Sequence, residues 1–131
     1  MNWARAHWLV GVLALIVFPL TGQYMLHAAD VPHLDSVPRL VFRSRHLLFL
    51  AAAVANLALS NAQPFRRAQK AASLLVMLSP ALLLAGFFID PGRGLHSSTI
   101  FRLAMYGLFV AGVLLAIANR PQRRGNVRPE C

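Results

Sequence analysis

The chain has 131 residues, of which 57% are hydrophobic and 13% are charged. Ordinary soluble domains carry about 25% charged residues, so this composition excludes a soluble globular domain and indicates a membrane protein. The net charge is +9, but the basic residues lie at the ends of apolar segments, where Lys and Arg set the orientation of a membrane protein. The charge therefore does not predict binding to nucleic acid.

Four apolar segments follow in chain order, at about 8–26, 40–60, 71–89 and 99–119. Each is roughly 20 residues long, which suits the roughly 30 Å hydrocarbon core of a bilayer. Short connections place consecutive helices antiparallel to each other. We therefore expect an all-α integral membrane domain over 1–119, an up-down bundle of four transmembrane helices. Residues 120–131 contain four Arg, two Pro and one Gly and predict a basic, mobile cytoplasmic tail.

The distribution of Lys and Arg predicts the orientation of the bundle. Eight of the thirteen basic residues belong to the N-terminus, the connection between the second and third spans, and the C-terminal tail. The other five lie on the opposite side together with three of the four acidic residues, so the net charge is +7 on one side and +2 on the other. We expect both termini to be cytoplasmic in an inner (plasma) membrane, and we call the opposite side the outer side.

The second span carries polar side chains on one face. Its polar or small members are spaced by three, four or seven residues, so a helix places them on the side that we expect to face the bundle interior: Arg43, His46, Ala53, Asn56 and Ser60. His46 and Asn56 are the deepest polar groups, and each requires a hydrogen-bond partner on another helix. The face has two interpretations, contacts that hold the helices together or the lining of a ligand or ion pathway.

A second set of polar groups converges at the outer ends of the helices. Four of the five histidines lie there, and Arg43 and Arg45 either reach the lipid headgroups or pair with Asp35 or Asp90. This set predicts a cationic pocket or, alternatively, ordinary interfacial anchoring. The candidate ligand- or partner-binding residues are Gln23, Tyr24, Arg43, Arg45, His46, Asn56 and Arg102.

The third span contains Pro80 directly after Ser79. Proline has no backbone N–H for the carbonyl four residues earlier, so it kinks a helix and frees that carbonyl. We expect such a kink in the third helix, and another at Pro19 near the end of the first.

Histidine is a common ligand of haem, zinc and copper, which makes His27, His46 and His96 candidate metal ligands. No pair has the HxxxH or HxxH spacing that sets two ligands on one helix face, and the chain has no CxxCH haem attachment. The single cysteine, Cys131, cannot form an internal disulfide or a thiolate metal site. A haem or metal cofactor therefore remains an alternative that no ligand-binding motif in the sequence supports.

The sequence contains no pattern typical of a nucleophile and its base, a phosphate-binding loop or a pair of carboxylates, so it does not predict an enzyme. We expect a non-enzymatic membrane protein that binds a partner or a polar or anionic ligand through its outer cluster. The alternatives are a small oligomeric channel or transporter lined by the second span, and a haem- or metal-binding redox protein. The expected partners are the lipid bilayer and, in a homo-oligomer or a larger membrane complex, other protein chains.

Three short motifs are distinctive: Thr21-Gly22-Gln23-Tyr24-Met25 ends the first span, Phe42-Arg43-Ser44-Arg45-His46 opens the second, and Gly86-Phe87-Phe88 closes the third. Together they resemble a group of small uncharacterised four-span bacterial membrane proteins, and the resemblance covers most of the chain. It implies a bacterial inner membrane but no particular activity. The polar positions that it makes most distinctive all lie at the outer end: Gln23, Tyr24, Arg43, Arg45 and His46.

Overall fold

A computed structural model describes residues 2–61, 67–90 and 98–118. It contains four long helices: α1 (Trp3–His27), α2 (Ser36–Leu59), α3 (Arg67–Ile89) and α4 (Thr99–Ala118). A one-turn 3-10 helix, Val31–His33, lies between α1 and α2, and the described residues include no strand. All four long helices are long and apolar enough to cross a membrane. The all-α four-helix bundle is thus confirmed, and the chain is a multi-pass membrane protein.

Three helices begin four or five residues before the predicted spans, because the polar residues that flank an apolar segment continue the same helix. At the start of α1, the side-chain oxygen of Asn2 accepts a hydrogen bond from the backbone N–H of Arg5 and caps the first turn. At the start of α4, the Ser98 hydroxyl accepts from the N–H of Phe101 in the same way. The predicted tail, His96 and Cys131 lie outside the described residues.

Consecutive helices run antiparallel. We call the end where α1 and α3 begin the terminal end, and the end where α2 and α4 begin the distal end. Residues on neighbouring helices lie next to each other at both ends. For α1 and α2, Gly11 lies beside Leu57 at the terminal end and Thr21 beside His46 at the distal end. For α2 and α3, the corresponding pairs are Asn56 with Val76 and Arg45 with Asp90. For α3 and α4, Gly86 lies beside Phe101 at the distal end.

The core consists largely of small side chains with a few aromatic rings. Close packing of small residues lets helices approach each other in a membrane, where apolar burial gives little driving force between helices. The central cluster contains Ala14, Phe49, Ala52, Ala53, Leu83, Phe101 and Ala104. A distal cluster joins Val31, Phe42 and Phe87, and a terminal cluster joins Ala72, Val76 and Ala111.

Large apolar side chains cover the outside of the bundle. Phe109 is 72% exposed and Tyr106 is 67% exposed on α4, and Leu13 is 60% exposed on α1. A soluble protein of this size does not expose so continuous an apolar surface. In a bilayer these side chains face lipid tails.

Gly11 allows α1 and α2 to pack closely. A Cβ added at Gly11 would lie 2.7 Å from the Leu57 Cγ and Cδ2 atoms and 3.1 Å from the Leu57 backbone nitrogen. The backbone nitrogen has no freedom to move aside, so the two helices pack at this point only because residue 11 has no side chain. Gly112 on α4 is the opposite case, since a Cβ there would meet nothing within 4 Å.

We therefore expect Gly11→Ala to destabilise the protein by about 1–3 kcal/mol through overpacking. The substitution Gly112→Ala is the matched control. It should be neutral or slightly stabilising, because alanine has a higher helix propensity than glycine. Thermal unfolding of both variants in the same detergent measures the difference. Equal melting temperatures for the two variants would contradict the close approach.

Candidate functional site

A buried ion pair joins three helices at the distal end. The Nε atom of Arg45 on α2 lies 3.0 Å from Oδ2 of Asp90 at the end of α3. Asp90 is fully buried, and its Oδ1 accepts a 2.7 Å hydrogen bond from the backbone N–H of Ser98, which precedes α4. The guanidinium carbon of Arg45 lies 3.3 Å above the centre of the Phe101 ring, a cation–π contact.

In this arrangement the positive charge of Arg45 has its partners within the protein. Of the two acids that were open to it, the structure pairs it with Asp90 and not with Asp35. A charge that is buried and paired is expensive to expose again, so Arg45 holds α2, α3 and the start of α4 together. The Arg45 guanidinium is therefore not available to a ligand.

His46 is held in a fixed orientation between α1 and α2. Its ring stacks on the Phe18 ring with 3.9 Å between centroids and 17° between planes. Its Nδ1 lies 3.0 Å from the Thr21 hydroxyl oxygen, and that hydroxyl donates a 2.7 Å hydrogen bond to the Phe18 carbonyl. The expected partner on another helix is thus present, and the opposite nitrogen, Nε2, forms no hydrogen bond within the described part of the chain.

His46 and Gly22 line a partly open cavity of about 130 Å³, and the Cε1–Nε2 edge of the His46 ring is the edge nearest Gly22. The nitrogen lies 3.7 Å from the position that a Cβ of Gly22 would occupy, so the absence of a side chain at residue 22 leaves this edge of the ring accessible. Arg43 lines the same cavity and is exposed, and no carboxylate among the described residues lies within ion-pair distance of it. The lining residues are Gly22, Met25, Leu26, Val31, Pro32, Arg43 and His46.

Three other candidates do not line this cavity. Gln23 and Arg102 are exposed. Tyr24 is 39% exposed, and its ring makes edge contacts with Phe87 and Phe88 at centroid distances of 6.1 and 5.2 Å. A larger cavity of about 240 Å³, lined by residues of α1, α2 and α3, offers only apolar side chains. The polar groups that converge on one cavity are therefore Arg43 and His46.

A second polar network lies at the terminal end and contains Asn56. The Asn56 amide nitrogen donates to the carbonyls of Ala52 and Val76, each at 2.9 Å, so its oxygen is the acceptor that faces Nδ1 of His7 at 2.9 Å. Nε2 of His7 lies 2.8 Å from the Ser73 hydroxyl. His7 and Asn56 are both fully buried.

The Val76 carbonyl in this network is the one that Pro80 frees, because it lies four residues before the proline. Asn56 donates to it from α2, and the Ser79 hydroxyl donates to it from within α3 at 2.8 Å. The network therefore repairs the backbone defect that the proline creates. It links α1, α2 and α3 with no buried side-chain polar atom left unpaired in the part of the chain that the structure describes.

These bonds engage every polar atom of Asn56, so Asn56 is not available to a ligand. They also argue against a channel through the monomer, since Phe49, Ala52 and Ala53 are buried between His46 and Asn56 on α2. His7 did not emerge from the sequence, because the predicted first span began at residue 8. The sequence feature that could have identified His7 is its position one turn before Gly11, on the same helix face.

The described residues contain no group of three metal-binding side chains. His27 is exposed at the end of α1, and His46 is engaged through Nδ1. His96 lies outside the described ranges, and the residues that the structure describes show no assembled ligand set for the metal and haem alternative.

Comparison of the chain with protein-family models, curated proteins and solved structures finds no match. The resemblance to four-span bacterial membrane proteins therefore stays a prediction. The candidate site is defined by its geometry alone.

The terminal-end network predicts energetic coupling between two helices. We expect His7→Leu and Asn56→Leu each to destabilise the protein by about 1–2 kcal/mol, because each leaves buried groups unpaired. The double variant should lose less than the sum of the two single losses, because the two residues bond to each other. The matched control is His27→Leu, at an exposed position. Unfolding in one detergent measures all four variants, and additive losses would contradict the His7–Asn56 bond.

Proposed function

We propose that this membrane protein binds a small polar or anionic molecule through Arg43 and His46, without catalysing a reaction. The site is the cavity of about 130 Å³ that these two residues line, which we call the distal cavity. The observation that supports the proposal is the free Nε2 edge of His46, a residue that lines this cavity together with an arginine. Binding sites usually combine apolar walls with a few oriented polar groups.

The contrast between the two neighbouring arginines supports the same proposal. Arg45 forms an ion pair with the buried Asp90, whereas Arg43 is exposed and lines the cavity. The orientation of His46 is fixed by Phe18 and Thr21 before any ligand arrives. A preorganised group loses less freedom on binding than a mobile one, which favours recognition of a ligand.

We further propose that the protein resides in a bacterial inner membrane with both termini in the cytoplasm, so that the distal cavity faces the outer side. The support is the charge difference of +7 against +2 between the two sides. A reporter that is active only in the cytoplasm, fused to the C-terminus, should be active. Activity only for a reporter that works outside the cytoplasm would overturn this orientation.

The binding proposal predicts opposite outcomes for adjacent arginines. In native mass spectrometry of protein released gently from its own membrane, we expect a bound small molecule other than bulk lipid. Arg43→Gln should lose that mass while keeping its melting temperature. Arg45→Gln should lower the melting temperature, because it leaves Asp90 buried without its charge partner.

Two glycine variants serve as matched controls in the same experiment. In Gly22→Val the side chain projects toward Nε2 of His46, so the mass should disappear. In Gly112→Val the side chain enters open space, so the mass should remain. Retention of the mass in Gly22→Val, or no such mass in the unmodified protein, would contradict the proposed site.

A further inference from the structure

The hydrogen atoms around His46 decide what its free nitrogen is able to recognise. The Thr21 hydroxyl has one hydrogen, and it donates that hydrogen to the Phe18 carbonyl. Its oxygen is therefore the acceptor toward Nδ1 of His46, 3.0 Å away, and Nδ1 carries a hydrogen. In the neutral imidazole, Nε2 is then a bare acceptor. It bonds to a ligand that offers a hydroxyl or N–H donor, and not to a carbonyl oxygen.

The two polar groups of the cavity thus have complementary roles. Nε2 of His46 accepts a hydrogen bond, while the Arg43 guanidinium donates hydrogen bonds and accepts none. A ligand that satisfies both carries a hydroxyl donor together with an oxygen acceptor. Free phosphate also carries a hydroxyl donor and acceptor oxygens, but it fits poorly because the remaining walls are apolar and would not solvate its charge: Met25, Leu26, Val31 and Pro32.

The size of the cavity limits the ligand further. An enclosed apolar cavity of about 150 Å³ holds one benzene ring. The cavity here measures about 130 Å³ and is partly open, so it admits one small ring only if part of that ring lies outside the cavity. Its apolar walls suit a flat ring, and Leu26, which is 53% exposed, leaves an apolar side toward the lipid. A single hydroxylated ring with an apolar tail meets each of these conditions.

From this geometry we infer that the ligand of the distal cavity is the ring of a membrane quinol, bound in preference to the corresponding quinone. This inference rests on the proposed binding function and names its ligand class. One quinol hydroxyl donates to Nε2 of His46, and Arg43 donates to a second ring oxygen. The oxidised ring has carbonyls in place of hydroxyls, so it has no donor for Nε2 and retains only the contact with Arg43.

The test compares a 1,4-benzoquinone that carries one short alkyl tail and no methoxy groups with its reduced form, each titrated by calorimetry into the full chain in detergent under anaerobic conditions. We expect the quinol to bind about tenfold more tightly than the quinone, the effect of one good hydrogen bond. Gly22→Val should abolish binding of both forms. Gly112→Val should change neither, because it faces open space.

Thr21→Val tests the hydrogen-bond argument separately from the shape of the cavity. Without the Thr21 oxygen, the imidazole is free to carry its hydrogen on Nε2, where it donates to a quinone carbonyl. The preference for quinol should then fall to about threefold or less, whereas a purely structural role for Thr21 would weaken both forms equally and leave the ratio unchanged.

The outcomes separate this inference from the proposed function. A quinone that binds as tightly as the quinol to the unmodified chain, or binding of inorganic phosphate in place of either, overturns the quinol assignment. If neither ring binds but a mass that co-purifies with the protein still depends on Gly22, the ligand class is wrong and the site stands. If that mass is independent of Gly22, both proposals fail.

Discussion

The bundle depends on the pairing of every polar group that its helices bury, because lipid offers no water to replace a missing partner and an unpaired group costs several kcal/mol. The carbonyl of Val76 shows the constraint most directly. Pro80 removes its normal partner, and Asn56 on another helix supplies a new one. His7 then occupies the oxygen of Asn56. One chain of hydrogen bonds thereby sets how α1, α2 and α3 meet at the terminal end.

The Arg45–Asp90 pair has the same effect at the distal end, where it joins α2 to α3 and, through Ser98 and Phe101, to the start of α4. Between these two polar anchors the helices pack through alanines, glycines and a few rings. Because the polar groups of both anchors are paired within the protein, few of them are available to bind a ligand. The groups that remain available around one cavity are Arg43 and the free edge of His46.

Hydrophobic length predicted four helices, and the cost of polar groups in lipid predicted that His46 and Asn56 each need a partner on another helix. The structure confirms both expectations. Helical spacing did not separate Asn56 from the distal candidates, because spacing identifies a shared face and not a shared neighbour. The sequence did not identify His7 for a related reason. A search for apolar segments leaves out a polar residue at the edge of a segment, although the helix itself includes that residue.

The sequence by itself determined that this is an all-α protein with four membrane-spanning helices, because span length, apolar content and short connections are local properties of the chain. Only the tertiary structure decided which polar groups bind one another. Arg43 and Arg45 are chemically identical and two residues apart, yet a helix turns by roughly 200° between them. That rotation brings Arg45 to the buried Asp90 and leaves Arg43 beside the cavity, and the distinction arises only when α3 packs against α2.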